Sequence, residues 1–142
     1  MRAGRILAVV AIAVLAIGSF SAVAFAGKKK KTDVNFFSQS PKINKGGKVN
    51  AKGSLNTASA CEPNRSMRLQ VLDANFVVLT TLDGSTSDSS GNWALSGQLP
   101  TTLPAGTNYV RVKAKKRTAG KFVCQAGVSR NVAIPAGVAM PA

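Results

Sequence analysis

Residues 61–71 read CEPNRSMRLQV, and the last five of them decide the fold. Met67, Leu69 and Val71 alternate with Arg68 and Gln70, the period of two that places an apolar set on one face of a β-strand. Similar alternation occurs in residues 49–55, 93–95, 110–114, 122–128 and 132–134, and residues 34–37 suggest a leading strand. Helical periodicity is almost absent after about residue 34, so the sequence predicts an all-β protein.

Segments rich in glycine, proline, asparagine and aspartate separate these runs, as expected of turns. About seven short strands at intervals of roughly 8 to 15 residues are typical of a β-sandwich, and a small barrel is the alternative. Residues 76–82 are apolar at nearly every position, which predicts a central strand that is buried on both faces.

Residues 1–26 have the three-part layout of a secretory signal peptide. Arg2 and Arg5 precede an apolar run over residues 6–17, and Ala24 and Ala26 supply small residues at a cleavage site. Twelve helical residues span about 18 Å, short of the roughly 30 Å hydrocarbon core of a bilayer, and a retained anchor is the alternative. We therefore expect cleavage after Ala26 and a protein that is secreted or held at the cell envelope, with no transmembrane span in the mature chain.

The mature chain is long enough for one domain with one core. We expect a basic arm and leading strand over residues 27–47, the sandwich over residues 48–135 and a tail over residues 136–142. The arm begins with GKKKK at residues 27–31, which is typical of a solvated, disordered segment. A tether to an anionic surface is the alternative.

Composition excludes most catalytic chemistry. The chain has 19 Lys and Arg, 5 Asp and Glu and no His, for a formal net charge of +14. Without histidine, Ser-His and Cys-His catalysis and His-ligated metals are excluded, and two cysteines cannot form a four-thiolate site. We predict no catalytic residue, no cofactor and no metal, and therefore not an enzyme.

The two cysteines predict one structural disulfide. An even cysteine count in an exported protein favours a bond between Cys61 and Cys124, and no Cys-x-x-Cys pair is present to support redox chemistry. Closing a loop of that length stabilises the fold by about 4 kcal/mol in the chain-entropy model. Two unpaired thiols are the alternative.

Four stretches resemble small exported bacterial proteins with a prealbumin-like or carboxypeptidase-regulatory-like domain. They are CEPNR with MRLQV (61–71), SDSSGNW (87–93), LPAGTNYVRV (103–112) and KFVCQAGVS (121–129). The resemblance covers about residues 48–134, with a longer approach to the turn at Thr101 and Thr102. It implies an immunoglobulin-like β-sandwich in an extracellular or envelope setting, and no single activity.

One cluster of charge is a candidate binding site. Six positive residues have no acid among them: Arg111, Lys113, Lys115, Lys116, Arg117 and Lys121. On one hairpin they would share a rim that attracts nucleic acid, teichoic acid or anionic lipid headgroups. A solubilising edge that prevents strand pairing is the alternative. Only Tyr109 and Phe122 flank the cluster as aromatics, and Phe122 shares its parity with Cys124 and is expected in the core, so no specific nucleic-acid recognition is expected.

The sequence therefore predicts an exported, non-enzymatic immunoglobulin-like module that binds or has a structural role at the bacterial envelope or outside the cell. Its partner would be an anionic envelope polymer or a cell-surface protein. The alternative is a cationic effector that binds anionic membranes, wall polymers or nucleic acid through the basic patch.

Overall fold

The computed structural model describes residues 27–138, and the predicted signal peptide lies outside the described residues. Among them, secondary structure consists of strands and one short 3-10 helix, Ser59–Cys61. The strands are β1 (Lys28–Lys30), β2 (Asp33–Phe36), β3 (Lys42–Ile43), β4 (Lys48–Asn56), β5 (Ser66–Leu72), β6 (Val78–Thr86), β7 (Asn92–Gln98), β8 (Tyr109–Ala114), β9 (Arg117–Ala119), β10 (Phe122–Cys124), β11 (Gly127–Val128) and β12 (Val132–Ala133). The prediction of an all-β protein is confirmed.

Two sheets face each other. In sheet I, β4 pairs with β7 on one side and with β2 and β3 in succession on the other, all antiparallel. In sheet II, β8 pairs with β5, β5 pairs with β6, and β11 and β12 lie in succession along the free side of β8. The chain crosses from sheet I to sheet II after β4, returns after β6 and crosses again after β7. This arrangement is consistent with a β-sandwich.

The core lies between these sheets and consists mainly of residues that the alternation predicted, with Leu99 as an addition that it did not predict. From sheet I come Val49, Ala51, Leu55, Trp93 and Leu95, and from sheet II come Met67, Leu69, Val71, Val110, Val112 and Ala114. Each is less than a tenth exposed. Burial of Trp93 follows from the turn before it, where Asp88 accepts hydrogen bonds from the backbone of Ser90 and Asn92, both at 2.9 Å.

The prediction of a central strand over residues 76–82 is wrong. Within the described part of the chain, strand β6 is the edge of sheet II and pairs only with β5, and its first residues Val78 and Leu79 are about 40% exposed. The middle of β6 contacts β7 of sheet I, where the Asp83 carboxylate accepts a hydrogen bond from the backbone N–H of Ser96 at 2.9 Å. A continuous apolar run does not distinguish two buried faces from an exposed edge, because that difference depends on which strands are neighbours.

Two further expectations are wrong at the third sheet. Sheet III consists of β1, β10 and β9, with β1 parallel to β10, so residues 28–30 form a strand rather than a disordered arm. The run over residues 122–128 is not one strand: it divides into β10 and β11, and of its predicted inward residues only Cys124 is buried. Phe122 is half-buried and Val128 is 48% exposed. The chain leaves β10 to pair with β8 in another sheet, which interrupts the alternation.

Candidate polyanion-binding surface

The structure separates the six predicted basic residues into two groups. Arg111 and Lys113 lie on the outer face of β8 in sheet II, whereas Arg117 lies on β9 in sheet III and Lys121 lies in the β9–β10 turn. Lys115 and Lys116 connect the two groups. The six residues therefore do not share one hairpin rim, as the sequence suggested. They are divided between the outer face of sheet II and the separate, smaller sheet III.

Arg111 and Lys113 on β8 both lie opposite polar or charged residues of β5. Arg111 Nε donates a hydrogen bond of 3.0 Å to Oε1 of Gln70, which pairs with it in register on β5. Lys113 lies opposite Arg68 in the same ladder, so two like charges are directly apposed. Such an arrangement raises the positive potential over this face.

Sheet III receives further cations that the six-residue prediction did not include. Strand β1 carries the N-terminal lysines into register with β10, with Lys28 opposite Phe122 and Lys30 opposite Cys124. We call the resulting group the basic cluster, which comprises residues 28–31, 115–117 and 121. No acid lies in residues 27–32 or 115–126, and the nearest in sequence, Asp33, pairs with Lys31 at 3.6 Å.

Lysines converge on both faces of sheet III. On one face, Lys29 and Lys116 line a depression of about 410 Å³ together with Val123, Gln125 and Ala126. On the other, the Nζ atoms of Lys30 and Lys121 lie 5.1 and 5.8 Å from the centre of the Phe122 ring. The ring stabilises both ammonium groups at this side of the sheet.

Arg117 is directed into the fold rather than toward solvent. Its Nη2 donates a hydrogen bond of 3.2 Å to the carbonyl of Ala60, and its buried Nε has no partner among residues 27–138. Lys116 and Lys121, which flank β9, are therefore exposed to a ligand, as is Lys115 in the connection from β8.

A disulfide supports this end of the molecule. Cys61 and Cys124 are joined, with 5.5 Å between their Cα atoms, and both are fully buried. The predicted pairing is confirmed. It connects the 3-10 helix before β5 to β10, the central strand of sheet III.

Arg65 is the second support, and its only signal in the sequence is its place in the stretch CEPNR, residues 61–65, of the family resemblance. Its side chain is fully buried and donates hydrogen bonds of 2.8–3.2 Å to the carbonyls of Cys61, Lys115 and Gln125 and to the Thr32 hydroxyl. These bonds use all of its N–H groups. Because Thr32, Lys115 and Gln125 adjoin β1, β9 and β10, one guanidinium joins the ends of all three strands.

Among residues 27–138, the one ion pair joins Lys31 and Asp33, so no carboxylate there pairs with Arg65. Burial lowers its pKa, and the positive charge of Arg117 lowers it further. The group nevertheless remains charged at physiological pH, because an arginine does not lose its proton in a protein. Carbonyl dipoles take the place of a counterion, so this buried charge adds to the positive potential of the basic cluster.

No protein-family model matches the chain, and no curated protein is similar to it. Within residues 27–138, no three His, Cys, Asp or Glu side chains are grouped to hold a metal ion. The same residues contain no helix of the length and hydropathy needed to cross a membrane.

Proposed function

We propose that the chain is an exported, non-enzymatic module with an immunoglobulin-like β-sandwich, which binds an anionic polymer at the bacterial envelope or outside the cell. The observation that carries this proposal is the convergence of lysines from two distant parts of the chain on sheet III. A linear polyanion that lies across this sheet would contact several ammonium groups at once, which favours a repeating ligand over a single small anion.

The strand order supports the immunoglobulin-like part of the proposal. Sheets with the orders β2/β3-β4-β7 and β11/β12-β8-β5-β6 correspond to strands A-B-E and G-F-C-C′ of such sandwiches. Two features differ from antibody domains: Trp93 lies on the strand equivalent to E, and the disulfide does not join B to F.

Export is supported by the signal-like residues 1–26 and by the disulfide, because such bonds persist in oxidising compartments. The absence of histidine from the sequence supports a non-enzymatic role. A bound polymer would then be a component of the envelope, such as a phosphate-rich wall polymer.

A matched pair of fourfold variants tests the site. The first carries Lys29→Gln, Lys30→Gln, Lys116→Gln and Lys121→Gln in the basic cluster. The control carries Lys42→Gln, Lys45→Gln, Lys48→Gln and Lys52→Gln, all exposed and all in or beside sheet I. Both variants lose the same charge, so any difference between them reflects position.

The measurement is binding to immobilised polyphosphate as a function of salt. In the basic-cluster variant, we expect the slope of log affinity against log salt to fall by about 3, since each lost phosphate contact removes roughly 0.7–0.9. The control should change by less than about 1. If both variants lose binding equally, the proposal of a located site is wrong, and a cationic effector that acts through net charge alone is the better description.

A further inference from the structure

Four consecutive apolar residues are exposed at the opposite end of β5 from the basic cluster. Phe76, Val77, Val78 and Leu79 are 50%, 58%, 41% and 40% exposed. We call residues 76–79 the apolar tip. It follows the last residue of β5, Leu72, whereas the basic cluster adjoins the first, Ser66, whose carbonyl accepts a hydrogen bond from the Lys115 backbone at 2.9 Å. Seven strand residues span about 20 Å, so the two surfaces are well separated.

The tip is held in a defined loop. Oδ1 of Asp73 accepts hydrogen bonds from the backbone N–H groups of Asn75 at 2.9 Å and Val77 at 3.0 Å, and the Asp73 N–H donates to the Val77 carbonyl at 2.9 Å. Phe76 has φ 61°, a left-handed conformation that a bulky residue rarely adopts. Strain of this kind persists only where surrounding contacts impose it, and it is concentrated at functional sites.

Cations follow the apolar tip along the outer face of sheet II. The Phe76 ring lies 4.9 Å, centre to centre, from the ring of Tyr109, the first residue of β8. Arg111 and Lys113 come next on the same face, at about 7 and 13 Å along the strand from Tyr109, with Arg68 opposite Lys113. The surface therefore passes from apolar to cationic over a distance comparable to the depth of a lipid headgroup layer.

We propose that the apolar tip inserts into the surface of an anionic lipid bilayer, with Arg111, Lys113 and Arg68 placed against the lipid phosphates. Insertion removes exposed apolar area from water, and each nearby cation adds attraction to an anionic surface. The loop that Asp73 holds exposes Phe76 and Val77 to solvent. In this proposal, the left-handed backbone conformation of Phe76 keeps both side chains available for insertion.

Charge and chemistry favour a bilayer over the other occupants. A second copy of this chain docked face to face would bring two sets of Arg68, Arg111 and Lys113 together, in a chain that already carries +14. A single-stranded nucleic acid would stack on Phe76 and Tyr109, but it would leave the aliphatic side chains of the tip without a role. Of these three occupants, the bilayer alone uses both the aliphatic area and the cations.

Vesicle binding tests the proposal on the purified, secreted protein. The test variant is Phe76→Ser with Val77→Ser, and the control is Phe37→Ser, which changes a phenylalanine of matching exposure, 47%, beyond the end of β2 in sheet I. In vesicles of phosphatidylcholine mixed equally with phosphatidylglycerol, we expect the double variant to bind about tenfold more weakly or worse. The control should stay within about twofold of wild type. Equal binding by the double variant and the wild type would overturn the proposal.

A fluorescence measurement separates insertion from attraction by charge alone. Trp93 is the single tryptophan and is buried, so Phe76→Trp introduces an exposed reporter at the tip. On binding we expect its emission to shift to shorter wavelength and to be quenched by brominated lipid, whereas Phe37→Trp should show neither effect. Binding without these changes would mean adsorption through charge only and would contradict insertion.

Two further arms identify the occupant. The pair Arg111→Gln and Lys113→Gln should weaken binding to the mixed vesicles and leave the weak binding to pure phosphatidylcholine unchanged. Concentration-dependent dimerisation without lipid, abolished by the serine double variant, would overturn the proposal in favour of a second copy. The polyphosphate test addresses the opposite end of the molecule, so failure there leaves these outcomes interpretable.

Discussion

The two ends of β5 are built in opposite ways. At Ser66, a disulfide and a buried arginine with every donor satisfied fasten three short strands that carry many lysines. At Leu72, one aspartate shapes a loop that displays apolar residues. The basic end needs long-range bracing because its like charges repel one another, whereas the apolar tip needs only local hydrogen bonds.

The largest effect that would separate the two ends is loss of the disulfide. Cys61→Ala with Cys124→Ala should lower the free energy of unfolding by about 4 kcal/mol, because the unfolded chain loses its cross-link. Urea unfolding under non-reducing conditions measures this. When reductant is added, the wild type and the variant should have the same free energy of unfolding. Alkylation of two cysteines in the wild-type protein without prior reduction would contradict the bond.

Removal of the buried arginine should come second. Arg65→Met leaves three carbonyls and the Thr32 hydroxyl without donors in the interior, so we expect a loss of about 3 kcal/mol in the same measurement. Arg111→Met is the matched control, because that side chain makes one hydrogen bond, to Gln70, and should lose less than about 1 kcal/mol. Equal losses would show that Arg65 is not a brace.

Two aspartate turns allow a direct comparison at a smaller scale. Asp73→Ala and Asp88→Ala each remove two bonds from a carboxylate to backbone N–H groups, and each should lower stability by about 1 kcal/mol. Only Asp88→Ala should alter Trp93 fluorescence, since its turn precedes β7, and only Asp73→Ala should weaken vesicle binding. The opposite pattern would mean that Asp73 does not shape the apolar tip.

The smallest effect on stability should come from the exposed lysines themselves. Replacing Lys29 and Lys116 with Gln should change the free energy of unfolding by less than about 0.5 kcal/mol, because both side chains are exposed and have no acidic partner nearby in the sheet. Thermal unfolding at low salt is the check. A large loss would indicate that these lysines support the fold rather than a ligand.

Sequence reasoning succeeded where one face of a strand is buried. The alternation at Val49, Met67 and Val110 predicted core residues, because burial on one side of a pleated strand imposes a period of two. It failed for residues 76–82, because an apolar run carries no information about which strands are neighbours. It failed for residues 122–128, because alternation does not reveal that the chain changes sheets between β10 and β11. The six-residue basic patch was predicted as a group, but its division between two sheets depends on where β8 ends and on the partner of β10.

The strand formed by the N-terminal lysines also could not be predicted from the sequence alone. A run of four lysines is locally indistinguishable from a disordered arm, and it becomes a strand only because β10 offers an unpaired edge close to Gly27. Similarly, nothing local to Arg65 indicates that its carbonyl partners at Cys61, Lys115 and Gln125 will surround it.

By itself, the sequence determined the fold class, the core faces and the single disulfide, because periodicity and cysteine count depend on neighbouring residues and on composition. The tertiary structure alone decided which strands lie at the edges, that residues 28–30 pair with residues 122–124, and that residues 76–79 are exposed. Those outcomes arise from pairings between segments up to about 90 positions apart in the chain, and the backbone hydrogen bonds that form such pairs are the same for every residue except proline.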